Sequence, residues 1–117
     1  MIRKCIALVV PARLGEDVTA RSLDVRYGTL QALYGPRDCI VRGDWQAYLR
    51  ADNGGNLGPN LRAMQLLHET GLYLPEVAGN ALFLGSTEHG WATDAPEHLI
   101  RLAERLFDMR LVAVELV

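Results

Sequence analysis

The run Ile6-Ala7-Leu8-Val9-Val10, closed by Pro11, restricts the fold more than any other feature of the chain. Five apolar residues in a row leave a strand no polar face, so it belongs in the interior of a sheet covered on both sides. Proline cannot donate to a ladder, so the strand, read from Ile2 to Val10, ends at Pro11. The chain has 117 residues, enough for one domain with one buried core and no metal or disulfide staple. Half of the residues are apolar and 22% are charged, the proportions of a globular protein rather than a disordered tail or coiled coil.

Beyond Pro11, residues Ala12 to Arg21 are polar around Gly15 and read as an exposed loop. Leu23, Tyr27, Leu30 and Leu33 or Tyr34 then recur at helical spacing, which predicts a helix over 23–34, weakened by Gly28, with Asp24 at its start and Gly35-Pro36 at its end. Gly43-Asp44 lies between Cys39–Arg42 and Trp45–Arg50 and predicts a hairpin with a two-residue type II′ turn. That register sets Arg42 opposite Trp45, Ile40 opposite Ala47 and Cys39 opposite Tyr48, and predicts that Arg42 stacks on Trp45. The turn-rich segment 52–59 precedes a second helix, with Leu61, Ala63, Met64 and Leu67 on its apolar face, Pro59 in its first turn and Gly71 at its exit.

Asn80–Leu84, between Gly79 and Gly85, reads as another buried strand, and Ser86–Thr93 as a loop. Asp94-Ala95-Pro96-Glu97 has the pattern of a capping box opening a third helix, with Leu99, Ile100, Ala103, Leu106 and Phe107 inward. The nearly apolar Leu111–Val117 reads as a last strand, which must pair inside the sheet or across a two-fold interface to avoid aggregation. The fold class is therefore α+β: a single domain over 1–117 with an approximately five-stranded mixed sheet, a β-hairpin and about three helices.

Composition removes several functions. A net charge of −2 offers no electrostatic footprint for nucleic acid or anionic lipid, and no apolar run reaches membrane-spanning length. Lys4 is the only lysine against eleven arginines, a bias typical of GC-rich coding rather than of a binding motif. Cys5 and Cys39 sit in apolar stretches and read as two buried thiols in a reducing cytosol. Ser22 and Ser86, the only serines, lie outside any nucleophile elbow. His68, His89 and His98 have no i, i+4 partner and no nearby cysteine, so neither a metal nor any other cofactor is expected. No catalytic constellation emerges.

Two groups of binding candidates remain. The first is the turn around Asn53, Gly54 and Asn60, ahead of a helix N-terminus and near Arg50 and Arg62, where backbone N–H groups and cations could hold a nucleotide or other anion. Against it, a phosphate loop would need a lysine and a hydroxyl residue where Pro59 and Asn60 stand. The second is Trp91, with His89, in the polar loop Thr87–Thr93. Trp91 is either a staple against the helix near Ala95 or an exposed recognition residue, and the absence of a second apolar residue in its loop favours recognition.

The segments Ala7–Ala12, Asp52–Ala63 and Val77–Gly85, followed by Asp94-Ala95-Pro96-Glu97, recur in this order in a small domain of unknown function carried by actinobacterial phages and plasmids. The chain resembles that family over roughly 6–107. The family's turn often carries a lysine after its first glycine, where this chain has Gly55. The resemblance implies an accessory protein of a mobile element, acting in the host cytoplasm without enzymatic activity on an unidentified host protein. It supplies no catalytic residues. The expectation is a host-protein binder, with a homodimer through the C-terminal strand; the alternative is a small-ligand or nucleotide binder at the Gly54–Asn60 turn.

Overall fold

The computed structural model describes residues 4–26, 38–50, 58–74, 77–111 and 113–115. Strand β1 (Lys4–Val10) lies inside the sheet, as its sequence demands. Cys5, Ala7 and Val9 are buried on one of its faces, and Leu8 and Val10 on the other. It pairs antiparallel with β2 (Thr19–Asp24) on one side and with β5 (Ala78–Ser86) on the other. β2 corrects two expectations. The polar loop ends at Val18, and Leu23 and Asp24 belong to a strand rather than to a helix start. Its buried residues, Ala20 and Leu23, are three apart, which mimics helical spacing; the ladder with β1 overrides that cue. The Asp24 carboxylate pairs with Arg26 at 2.6 Å. The remainder of the helix expected over 23–34 falls largely outside the described residues.

The hairpin is built as its turn residues require. β3 (Asp38–Arg42) and β4 (Trp45–Arg50) pair with Arg42 opposite Trp45, Ile40 opposite Ala47 and Cys39 opposite Tyr48. Gly43 has φ 57°, and Asp44 is not left-handed, the sign pattern of a type II′ turn. The Trp45 indole does not wait for Arg42 at the surface: it is buried, 6.2 Å from the Phe83 ring. β4 pairs antiparallel with β5, whose end also pairs with the two-residue β6 (Ala92–Thr93). The last strand, β7 (Ala113–Glu115), runs parallel to β2. The order is β3-β4-β5-β1-β2-β7, so the C-terminal strand pairs within the sheet, at its margin. The sheet is antiparallel except for the β2–β7 pair, and has more strands than the five expected.

Two helices occur among the described residues. α1 (Leu61–Glu69) buries Ala63, Leu66 and Leu67, while Leu61, expected inward, is exposed. Its N-cap is Asn60, which places Pro59 before the cap rather than in the first turn. Gly71 follows the C-cap at φ 92°, and Gly71 N–H and Leu72 N–H close the helix end on the His68 and Leu67 carbonyls. α2 (Glu97–Phe107) buries Leu99 and Ala103. Its N-cap is Pro96, with no side-chain cap, so the expected capping box does not form. Both helices cover the face of the sheet that carries Leu8, Val10, Ala47, Leu49 and Phe83. The opposite face, with Ala7, Val9, Leu82 and Leu84, is buried as well, with Val25, Tyr48 and Ala92 packed against it.

Candidate functional site

The five candidate binding residues that the structure describes divide between the two ends of β5. Arg50 pairs with Ala78 at the start of that strand, beside Asn60 and α1. Trp91 and His89 lie beyond Ser86 at its other end. Eight strand steps separate Ala78 from Ser86, about 26 Å at the rise of a β-strand. One small ligand does not reach both groups.

At the α1 end the polar groups are turned inward. Asn60 is fully buried and its amide serves three partners: Oδ1 accepts from Ala63 N–H at 2.9 Å, and Nδ2 donates to the Val10 and Gly79 carbonyls at 2.8 and 2.9 Å. The backbone of Asn60 also donates to Val77, and that of Gly79 donates to Gly58, so the start of α1 is stitched to β5. Arg62 reaches back over the Pro11–Asp17 turn, and its Nη2 donates to the carbonyls of Pro11, Arg13 and Glu16 at 2.9, 2.9 and 2.7 Å. Its Nε is buried without a hydrogen-bond partner. Asn53 and Gly54 lie outside the described residues, as does the side chain of Arg50.

At the other end an apolar side chain is turned outward. Trp91 is 62% exposed, so it is not buried as a staple against α2. Its loop is closed on itself: Thr87 N–H donates to the Trp91 carbonyl at 2.9 Å, Gly90 N–H to the Thr87 carbonyl at 2.9 Å, and Trp91 N–H to Thr87 Oγ1 at 3.1 Å. Gly90 makes the reversal at φ 82°, a conformation other residues rarely adopt. His89 stands at the tip, exposed, 3.4 Å from the Glu88 carboxylate.

The frame beneath this loop was not legible as a site in the sequence. Gly85 packs so closely on the next turn that a Cβ there would collide with the Asp94 carbonyl and come within 2.7 Å of Thr93 Cγ2. Asp94, freed from capping, accepts from Ile6 N–H at 2.7 Å, while Ala95 N–H donates to the Ile6 carbonyl at 2.7 Å. His98 Nε2 meets both Asp44 carboxylate oxygens at 2.9 and 2.8 Å, joining α2 to the hairpin turn. Gln46, 2% exposed on β4, bonds to Gly85, Gly90, Tyr48 and Cys39. Burial pushes the Tyr48 hydroxyl up to about 12 and raises the Cys39 thiol, so both stay protonated donors at neutral pH. Cys5 is buried as expected; Cys39 as a residue is exposed, with its thiol partly covered where it meets Gln46.

A groove of about 270 Å³ beside α2 has a floor of Ile6, Ala20, Ile100 and Leu111. Its rim charges are spent within the chain. Arg101 sits 2.9 Å from Glu97 and 3.6 Å from Glu104, and Glu104 also accepts from Leu111 N–H at 2.8 Å. Among the described residues no cluster of His, Cys, Asp or Glu could hold a metal, and no helix is long and apolar enough to cross a membrane.

The arrangement is that of a small α+β domain displaying a tryptophan on a closed, buttressed loop. No protein-family model, curated protein or solved structure matches the chain.

Proposed function

We propose that this chain is a non-enzymatic protein-binding module whose contact residue is Trp91. The observation that carries this reading is an indole 62% exposed on a loop held by its own hydrogen bonds. Tryptophan is enriched among residues that dominate interface energetics, and a loop already ordered avoids part of the entropic cost of binding. His89 and Glu88 flank it as polar rim. With the resemblance to a phage and plasmid family, the proposal extends to a mobile-element accessory protein that engages a host protein in the host cytoplasm, to inhibit growth or blunt a defence. A second copy of the chain pairing through the outer edge of β7 belongs to the same proposal; sedimentation at micromolar concentration tests it, and a monomer rejects it.

The test of the binding reading is capture from an actinobacterial lysate on immobilised wild-type protein and on Trp91→Ala. A partner retained by the first and lost by the second supports the reading, and equal retention rejects it. The alternative, a nucleotide or small anion at the Gly54–Asn60 turn, has less to draw on, because Asn60 and the Nη2 of Arg62 already serve the fold. A rise in melting temperature on adding nucleotides would favour it.

A further inference from the structure

Gln46 is out of place by composition. Its face of the sheet is built from Ala7, Val9, Leu82 and Leu84, and Leu84 is its direct partner on β5. A buried amide in such surroundings is tolerated only when its hydrogen bonds are made. Here all are: Nε2 donates to the Gly85 carbonyl at 3.2 Å and the Gly90 carbonyl at 3.4 Å, and Oε1 accepts from the Tyr48 hydroxyl at 2.7 Å and the Cys39 thiol at 3.7 Å. Glutamine has two donors and two acceptor sites, so its capacity is filled. An apolar side chain of similar volume would fill the space at less desolvation cost, but would leave the Gly90 carbonyl without its bond from the sheet.

We infer that Gln46 is the positioning residue of the Trp91 loop, fixing it to β4 in the orientation that presents the indole to a partner. The inference rests on the reading of Trp91 as the contact residue. Gly90 is the link, because it immediately precedes Trp91 and is the residue at which the loop reverses. The bonds among Thr87, Gly90 and Trp91 fix the shape of the loop, the β5–β6 pairing anchors its two ends, and the bond from Gln46 ties its reversal to β4. The amide cannot serve equally when flipped. A flip would set the amide oxygen against the Gly85 and Gly90 carbonyls, which can only accept, whereas the Tyr48 hydroxyl and Cys39 thiol could accept as well as donate. The two carbonyls therefore set the amide's orientation, Tyr48 and Cys39 complete its bonds, and Gln46 orients the loop.

The test compares wild type, Gln46→Met and Tyr48→Phe by backbone amide exchange, and by fluorine NMR after 5-fluorotryptophan labelling of Trp45 and Trp91. Gln46→Met keeps an apolar filler and removes every bond. It should speed exchange at the Gly90 and Trp91 amides roughly tenfold or more, with α1 and β1 amides little changed. The Trp91 fluorine resonance should move toward that of the free amino acid while that of Trp45 stays. Tyr48→Phe leaves the loop bonds in place and should give a smaller change in the same direction. Parallel acceleration at all amides would show a merely structural residue and overturn the inference, as would an unchanged loop. If Gln46→Met does not fold, Tyr48→Phe decides alone: a loop-specific change supports the inference, and none overturns it. These measurements need no partner, so they stand or fall separately from the loss of capture by Trp91→Ala.

Discussion

The two ends of β5 use their polar and apolar residues in opposite ways. At the α1 end, Asn60 and Arg62 look from the sequence like ligands for an anion, yet their hydrogen bonds go to the chain: the first turn of α1, the ends of β1 and β5, and the Pro11–Asp17 turn. At the Trp91 end, buried polar groups hold a frame, and the large apolar residue stands outside it. A polar side chain near a turn is thus weak evidence of a ligand, because a helix start and a reversing chain have orphan groups of their own to satisfy. Trp91, 62% exposed, keeps most of its surface open to a partner, so it weighs more.

The contrast breaks first at Gly85. If the Trp91 end is a tightly built frame, Gly85→Ala must push the Asp94 turn away, with loss of the β5–β6 pairing and the Asp94–Ile6 bond. The expected cost is about 3 kcal/mol or more, measured by urea unfolding. A near-neutral result would mean that this end yields easily and that the loop is not held by its surroundings.

Asn60→Ala tests the other end. It deletes the cap and leaves the Ala63 N–H and the Val10 and Gly79 carbonyls short of a partner in a buried place, at an expected cost of about 2–3 kcal/mol. A stable variant would return Asn60 to the list of residues kept for a ligand.

How much of this was legible beforehand follows from the range of the interactions. β1, the hairpin and its register, and α1 with its glycine exit rest on local pattern and turn chemistry, and the sequence carries those signals directly. β2 did not show, because Ala20 and Leu23 alternate poorly and only the ladder with β1 defines the strand. The capping box failed for a related reason: Asp94 had the right spacing from Glu97, but the free N–H of Ile6, 88 residues away in sequence, took its carboxylate. Of the candidate site, Trp91 was readable from the polarity of its loop. Gln46 was not singled out; the available cue was an amide alternating with Tyr48 opposite the apolar Trp45, Ala47 and Leu49, which becomes informative only once both faces of β4 are known to be buried.

The network under the loop gives a smaller, pH-dependent signature. The Tyr48 hydroxyl is held at about 12, above the ordinary phenol value of about 10, chiefly by burial. A raised pKa in the folded state means that the native protein keeps this proton when the unfolded chain has lost it. The corresponding stability is complete below pH 10 and is lost as pH rises toward 12. Cys39, raised in the same direction, adds to the slope from about pH 9 upward. Unfolding free energies across pH 9–12 should therefore fall more steeply in wild type than in Tyr48→Phe, by at most about 1.4 kcal/mol per pH unit. Parallel profiles would place Tyr48 outside the network.

The smallest effect on stability is expected where the effect on binding is largest. Trp91 has most of its surface in solvent, and the hydrogen bonds that close its loop run through its backbone and through Thr87, so they survive truncation of the indole. Trp91→Ala should change unfolding free energy by only about 0.5 kcal/mol or less, as substitutions at exposed sites do. Loss of a tryptophan at the centre of an interface typically weakens binding by about 2 kcal/mol or more, roughly a 30-fold rise in Kd for the captured partner. The two numbers must be measured on one variant, because their ratio is the diagnostic quantity. A staple would lose several kcal/mol of stability and whatever binding depends on the fold, whereas a contact residue loses binding alone. A melting temperature that drops by many degrees in Trp91→Ala would put the indole back among the structural residues, and the two ends of β5 would then differ in exposure but not in purpose.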